Sequence, residues 1–322
     1  VKVYFWGTRG SLPASVTAEE VRTKILRVLK ESGDRTFQTD EEIIEFVDGH
    51  LPFYVRGSYG TNTSCVEIIG GEEYILCDAG TGLRDFGNHA LKSSNKDKPD
   101  QKNIFNIFIS HLHWDHIQGF PFFTPAYIEG NYVNIYGCHN ELEQAFINQQ
   151  NYPYFPVPLQ YMKADIRFIT LESGKEYEIA GFKVKVMKQN HPGDSYGYRF
   201  ERNRKSIVYS TDSEHKREVD SKDYIFLDFF RDADLLIFDA QYELEEAMDA
   251  KENWGHSSNV IAVELSVKAN VKRLCIFHNE PTFDDEKLDR FLEDTKRYLT
   301  IHAEESHPLK IDLAYDGLQI EL

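Results

Sequence analysis

The stretch Ile109-Ser110-His111-Leu112-His113-Trp114-Asp115-His116-Ile117-Gln118-Gly119-Phe120 follows an apolar run, IFNIF, and places three histidines and an aspartate within six residues. His111 and His113 are two apart. If the preceding strand continues into them, both side chains leave on one face, and a turn after them brings Asp115 and His116 round to the same space. That arrangement offers two nitrogen ligands to one cation and an oxygen–nitrogen pair to a second. Imidazole and carboxylate suit zinc, manganese or iron, so the residue types alone do not choose the metal. The plainer alternative is a polar strand-end loop with exposed histidines. Trp114, with no ligand role, reads as a packing residue.

A two-metal site needs more ligands than these four, and they must come from later strand ends. His191 ends KVKVMKQNH, Asp212 ends SIVYSTD and His278 ends RLCIFH. In a layered α/β protein, strand ends on one edge of the sheets line a common crevice, where ligands collect. Strand-like runs recur at 1–7, 65–70, 74–79, 104–110, 132–137, 182–188, 206–212, 235–240, 273–278 and 309–317, with helical patterns at 17–32, 40–50, 140–150, 257–270 and 285–299. The expected class is therefore α/β, as one domain over 1–322. Residues 15–57 interrupt the strand succession with charged helical segments and read as an insertion that either covers the site or meets a partner. The polar stretch SSNKDKPDQKN (93–103) is too short for an interdomain linker.

Composition narrows the setting. With 41% hydrophobic and 28% charged residues the chain is ordinary for a globular protein, and no apolar run approaches the ~20 residues of a membrane helix. The opening VKVYFWGTRGS alternates like a strand and lacks a signal peptide's apolar core, so a cytoplasmic setting without membrane contact is expected. Cys65, Cys77, Cys138 and Cys275 show no CxxC spacing and read as free thiols. The formal charge of −17, from 36 basic and 53 acidic residues, should repel a polyanion. No long nucleic acid is expected as partner, and a homodimer is admitted.

HLHWDH resembles the H-x-H-x-D-H signature of the metallo-β-lactamase superfamily, and Asp78 in ILCDAGTG, His191, Asp212 and His278 fall in the order of that superfamily's other motifs. The resemblance implies a four-layer αββα sandwich with two divalent metal ions, zinc in first place. His111, His113 and His191 would hold one ion, Asp115, His116 and His278 the other, and Asp212 would bridge them. Asp78 would support the histidines from behind, although an ordinary turn after a strand also accounts for it. A carboxylate at 212, where β-lactamases of this fold generally carry cysteine, turns the expectation from β-lactams to phosphodiesters.

The run His191-Pro192-Gly193-Asp194-Ser195-Tyr196-Gly197-Tyr198-Arg199-Phe200 and the pair Asp239-Ala240-Gln241-Tyr242 with Trp254-Gly255-His256-Ser257-Ser258 are similar to motifs of the tRNase Z and phosphodiesterase branch. They imply a reaction in which a metal-bridging hydroxide attacks phosphorus, with Asp115 in the catalytic centre and His256, held by Asp239, protonating the leaving oxygen. Ser257 or Ser258 also fits a helix cap. The basic RNA-clamping arm of tRNase Z has no evident counterpart in NYPYFPVPLQYM, and with the acidic charge this favours a small phosphodiester, such as a cyclic nucleotide, over RNA. The alternatives are a tRNase Z-like endoribonuclease, a diiron oxygen or redox sensor or binding protein, and a lactone or thioester hydrolase. Phe120, Phe122, Phe123, Tyr152, Tyr154 and Phe155 either stack a base or, more simply, pack a loop, and Arg9 is either a phosphate contact or a solvated turn residue.

Overall fold

The computed structural model describes residues 1–93, 103–215, 224–242, 255–303 and 308–322. Trp254 and most of the 93–103 stretch lie outside them. Two mixed seven-stranded sheets stack face to face. The first runs β14 (Gln319–Glu321), β1 (Lys2–Gly7), β2 (Cys65–Ile69), β3 (Tyr74–Cys77), β4 (Ile104–Phe108), β5 (Tyr132–Gly137) and β6 (Asp165–Thr170). The second runs β13 (Lys310–Leu313), β12 (Arg273–Phe277), β11 (Leu235–Asp239), β10 (Lys205–Ser210), β9 (Ser195–Arg202), β8 (Phe182–Gln189) and β7 (Glu176–Ile179). Side chains from both inner faces, including Phe5, Phe108, Tyr198, Tyr209, Ile237 and Phe277, close into one apolar layer between the sheets.

Helices cover the two outer faces. On the first sheet, α4 (Gly82–Ser93) and α6 (Leu142–Gln149) bury Phe86 and Phe146 with Phe105, Phe120 and Phe123. On the second, α7 (Ile225–Phe230), α8 (Asn259–Lys268) and α9 (Asp285–His302) bury Phe230, Leu265 and Phe291 with the strands' outer residues. This is the expected αββα sandwich. The 15–57 region forms α1 (Ala18–Ser32), α2 (Asp40–His50) and α3 (Phe53–Arg56) around a small cluster of Phe46, Leu51 and Val55. It is fixed to α9 by Lys24, which donates to Asp285 at 2.5 Å, and by Arg27, which reaches Glu286 at 2.7 Å. Among the described residues, no helix is long and apolar enough to cross a membrane.

The topology places the site. Strands β3, β4, β5 and β6 are parallel, as are β10, β11, β12 and β13, and β8 reaches β10 through two antiparallel pairings. The carboxyl ends of β3, β4, β8, β10, β11 and β12 therefore open towards a single crevice, and each carries a polar residue at its end or within two residues of it.

Candidate metal centre

Strand β4 stops at Phe108, so the histidines do not extend it as the spacing suggested. Residues 109–113 run on without regular secondary structure, and Trp114–Ile117 make one helical turn, α5. The outcome is still convergence. The rings of His111 and His113 lie 4.5 Å apart, and that of His116 lies 4.1 Å from His111.

All seven expected ligands meet in this crevice. His191 Nε2 is 3.2 Å from His113 Nδ1. Asp212 Oδ2 is 3.5 Å from His111 Nε2 and 3.4 Å from His278 Nε2, while its Oδ1 is 3.4 Å from His116 Nε2. Asp115 Oδ2 is 3.1 Å from His116 Nε2 and 3.2 Å from His278 Nε2. Three groups of mutually close donor atoms result: His111, His113 and His191; His111, His116 and Asp212; and Asp115, His116 and His278. Asp212 stands between the first and the last of these.

Three strand-end residues, Asp78 (φ 63°), Asp212 (φ 50°) and His278 (φ 62°), adopt the left-handed conformation. For a residue with a side chain this costs on the order of 1–3 kcal/mol and persists only where the surroundings impose it. Here it turns each side chain off its strand and into the crevice.

The donors are oriented from behind. Asp78, fully buried, accepts from the Ser110 N–H at 2.7 Å, the Ser110 hydroxyl at 2.8 Å, His116 Nδ1 at 2.7 Å and the Tyr209 hydroxyl at 2.7 Å. His116 is thereby left with Nε2 facing the cluster. His191 Nδ1 donates to the Gly255 carbonyl at 2.9 Å, and Ser11 N–H donates to Asp115 Oδ2 at 2.8 Å. Thr211 Oγ1 donates to Asp212 Oδ1 at 2.5 Å. Gly255 has φ 88°, and a Cβ there would lie 2.0 Å from His191 Nδ1, so only glycine lets this loop approach. Ser11, Ser110, Tyr209 and Thr211 escaped the sequence reading because a small hydroxyl residue, or a tyrosine inside an apolar strand, carries no spacing signal.

Electrostatics divide the cluster. Burial drives His111 well below the ordinary imidazole range, with His116 adding to the effect, and desolvation also lowers His113 and His191. These rings keep lone pairs to offer. Burial would lower His116 too, but Asp115, Asp212 and Asp78 outweigh it and raise it. His278 is likewise raised to about 9, against its burial, by Asp212, Asp115 and Asp239. Desolvation favours protonated Asp115 and Asp212, yet the histidines overcome it and hold both carboxyls far below the usual range.

A cation fits this donor set. His111 Nε2 is buried, has no hydrogen-bond partner and faces Asp212, which is the kind of orphan a metal ligand leaves. Beside the cluster, His256 Nδ1 donates to Asp239 Oδ2 at 2.7 Å, and the His256 ring stacks on His278 at 5.0 Å. His256 and Asp239 also form a close donor group with His278. Of the two candidate caps, Ser258 caps α8, while Ser257 donates to the Ser213 carbonyl and accepts from His215 N–H.

Other expectations resolve differently. Arg9 is neither a phosphate contact nor a solvated turn residue: it is buried, and its guanidinium donates to the carbonyls of Gly60, Glu280 and Phe283. In the GYRF run the Tyr198 hydroxyl donates to the Ile109 carbonyl, and Arg199 donates to the Phe229 and Arg231 carbonyls, so both residues brace the scaffold. Phe120 and Phe123 are core, whereas Phe122, Tyr152 and Tyr154 are exposed. Trp114 does not pack, being 78% exposed.

Comparison with known proteins agrees with this geometry. Residues 73–279, more than half the chain, match the family model described as the beta-lactamase superfamily domain. Ribonuclease Z of Picrophilus torridus is 25% identical over 272 residues, covering 69% of this chain and 83% of that protein. Ribonuclease Z of Archaeoglobus fulgidus is 24% identical over 305 residues, covering 78% and 92%. The crystal structure of the metallo-beta-lactamase fold protein YhfI from Bacillus subtilis has a TM-score of 0.63 at 18% identity, covering 100% of this chain and 98% of that one.

These relatives correct one expectation. The acidic charge and the missing basic arm argued that no long nucleic acid is met, yet proteins named as ribonucleases share about a quarter of the residues over most of the chain. Net charge sums the whole surface and so bears on long-range steering, whereas a bound divalent cation is the largest charge in its own site.

Proposed function

Since this chain belongs to the beta-lactamase superfamily and is a hydrolase of that group, we propose that it is a metal-dependent phosphodiesterase whose substrate is an RNA phosphodiester. The Asp239–His256 pair beside the donor cluster carries the reading, because hydrolysis of a phosphodiester requires a proton for the departing alkoxide. The relatives named ribonuclease Z support RNA as the substrate.

His111, His113 and His191 would hold one cation, Asp115, His116 and His278 the second, with Asp212 shared between them; zinc suits the imidazole-rich set best. When bound, such ions supply Lewis-acid neutralisation of phosphate charge and activation of water. The chain's own residues do the rest. Asp239 accepts a hydrogen bond from His256 Nδ1–H and orients the ring, so that the Nε2–H of its doubly protonated form is the proton offered to the leaving oxygen. The Gln241 N–H, 3.2 Å from Asp239 Oδ1, steadies that carboxylate. Gly255 ties the loop of His256 to His191, so the proton donor and one ligand keep a fixed relation.

The test is cleavage of a precursor tRNA carrying a 3′ trailer by protein of measured metal content, before and after chelation and zinc restoration. Metal-dependent cleavage that weakens steeply with salt is expected. Intact RNA at micromolar loaded protein would sink the RNA assignment, and a simultaneous failure on bis(p-nitrophenyl) phosphate would sink the phosphodiesterase reading as well.

A further inference from the structure

Helix α5 separates two kinds of side chain. Asp115, His116 and Ile117 are buried, while Trp114, between the donors His113 and Asp115, turns its indole into water. An indole so exposed adds nothing to the core, and it stands between two donors of the cluster, His113 itself exposed, where a bound ligand can cover its face.

The turn after α5 and the segment after α6 carry more exposed ring surface. Phe122 ends the 3-10 turn that follows α5 and meets Phe155 edge-on at 5.6 Å. Tyr152 and Tyr154 are 91% and 80% exposed. Gln149 donates to the Ile117 carbonyl at 3.1 Å, which ties the end of α6, and with it this segment, to α5. A flat π-system joined to a phosphate is the ligand that such a rim and a cationic centre recognise together, and nucleobases stack on aromatic side chains with little sequence preference.

We propose that Trp114 is the stacking platform for the nucleobase adjoining the scissile phosphate, with Phe122 extending the rim. This rests on the phosphodiesterase reading above and names the group it selects beside the reacting bond.

Two substrates with the same leaving group separate base recognition from chemistry: thymidine 5′-(p-nitrophenyl phosphate) and methyl p-nitrophenyl phosphate. Wild-type protein should show a lower KM for the first. In Trp114→Ala that preference should shrink roughly five- to a hundredfold, the range expected for one stacked base, through KM and not kcat. Trp114→Phe should recover part of it. Independently, uridine 5′-monophosphate should quench tryptophan fluorescence where ribose 5-phosphate does not, and Trp114→Phe should remove that quench.

A preference retained in Trp114→Ala, or equal losses on both substrates, overturns the proposal. If neither substrate turns over, the quench decides alone, and its absence in wild type overturns the proposal. A base-dependent KM in a protein that leaves RNA intact would keep the subsite and discard the RNA assignment.

Discussion

Replacing Asp78 with asparagine tests how the fold orients the cluster. The carboxylate takes four donors, three on Oδ2 and one on Oδ1. In asparagine the amide nitrogen is least costly at the Oδ1 position, where it opposes only the Ser110 N–H; at Oδ2 it would face three donors instead, His116 Nδ1 and the hydroxyls of Ser110 and Tyr209. One buried donor is then orphaned, at roughly 1–3 kcal/mol, and three charge-assisted bonds become neutral ones at about 1 kcal/mol each. Relief from burying a carboxylate offsets part of that sum. A net loss of about 2–4 kcal/mol is expected by urea unfolding in chelator, where metal binding makes no contribution. Tyr209→Phe removes one of the four bonds and should cost about 1–2 kcal/mol. The double variant should be non-additive by more than about 0.5 kcal/mol, because both changes weaken the same bond between residue 78 and Tyr209. Metal affinity should fall about ten- to a hundredfold in Asp78→Asn, since His116 Nδ1 then donates to a neutral amide oxygen and the ring loses the added basicity a carboxylate gives it. Unfolding within about 0.5 kcal/mol of wild type, or strict additivity, would refute the account.

Two further outcomes follow from the same geometry. His256→Ala should lower kcat on RNA by about 10²–10⁴ but spare p-nitrophenyl esters, whose leaving group needs no proton; an equal loss on both would mean that His256 holds metal or structure instead. His215 sits among Phe226, Phe230 and Phe238, and burial lowers it to about 3. Its contribution to stability is therefore complete above the unfolded value near 6.5 and drains away as pH falls towards 3, by about 4–5 kcal/mol in all. His215→Phe should flatten the acid limb of the stability profile relative to wild type, and parallel profiles between about pH 6.5 and 4.5 would contradict this.

Much of the layering was legible because apolar runs and turn residues mark the strands; β5 coincides with its predicted span, 132–137. Helix α4 was missed because Gly82 and Gly87 break its pattern, although Gly87 makes room for Phe123. Strands β6 and β7 at the sheet edges were missed too, their burial being only partial. The candidate donors could be picked out because they follow apolar runs, a local signal. What braces them is not local: Asp78 and Tyr209 are 131 residues apart, and Ser11 reaches Asp115 across 104. Arg9 was misread for the same reason, since carbonyls at 60, 280 and 283 satisfy it. Trp114 was misread because an aromatic residue in an apolar context is normally core.

The braces also explain why an acidic crevice can exist before any cation enters. His111, His116, His191, Asp115 and Asp212 each hold a second contact outside the donor atoms facing the cluster, to Ser110, Asp78, Gly255, Ser11 and Thr211 respectively. These contacts set rotamers and tautomers by packing and hydrogen bonding, so a metal would meet donors already in place and lose little affinity to ordering them. Among the described residues the side chains of His113 and His278 bond only within the cluster, and of the seven donors His113 is the exposed one. It opens the turn that carries Trp114, so the exposed donor and the exposed indole share one rim, on the side from which a substrate can approach.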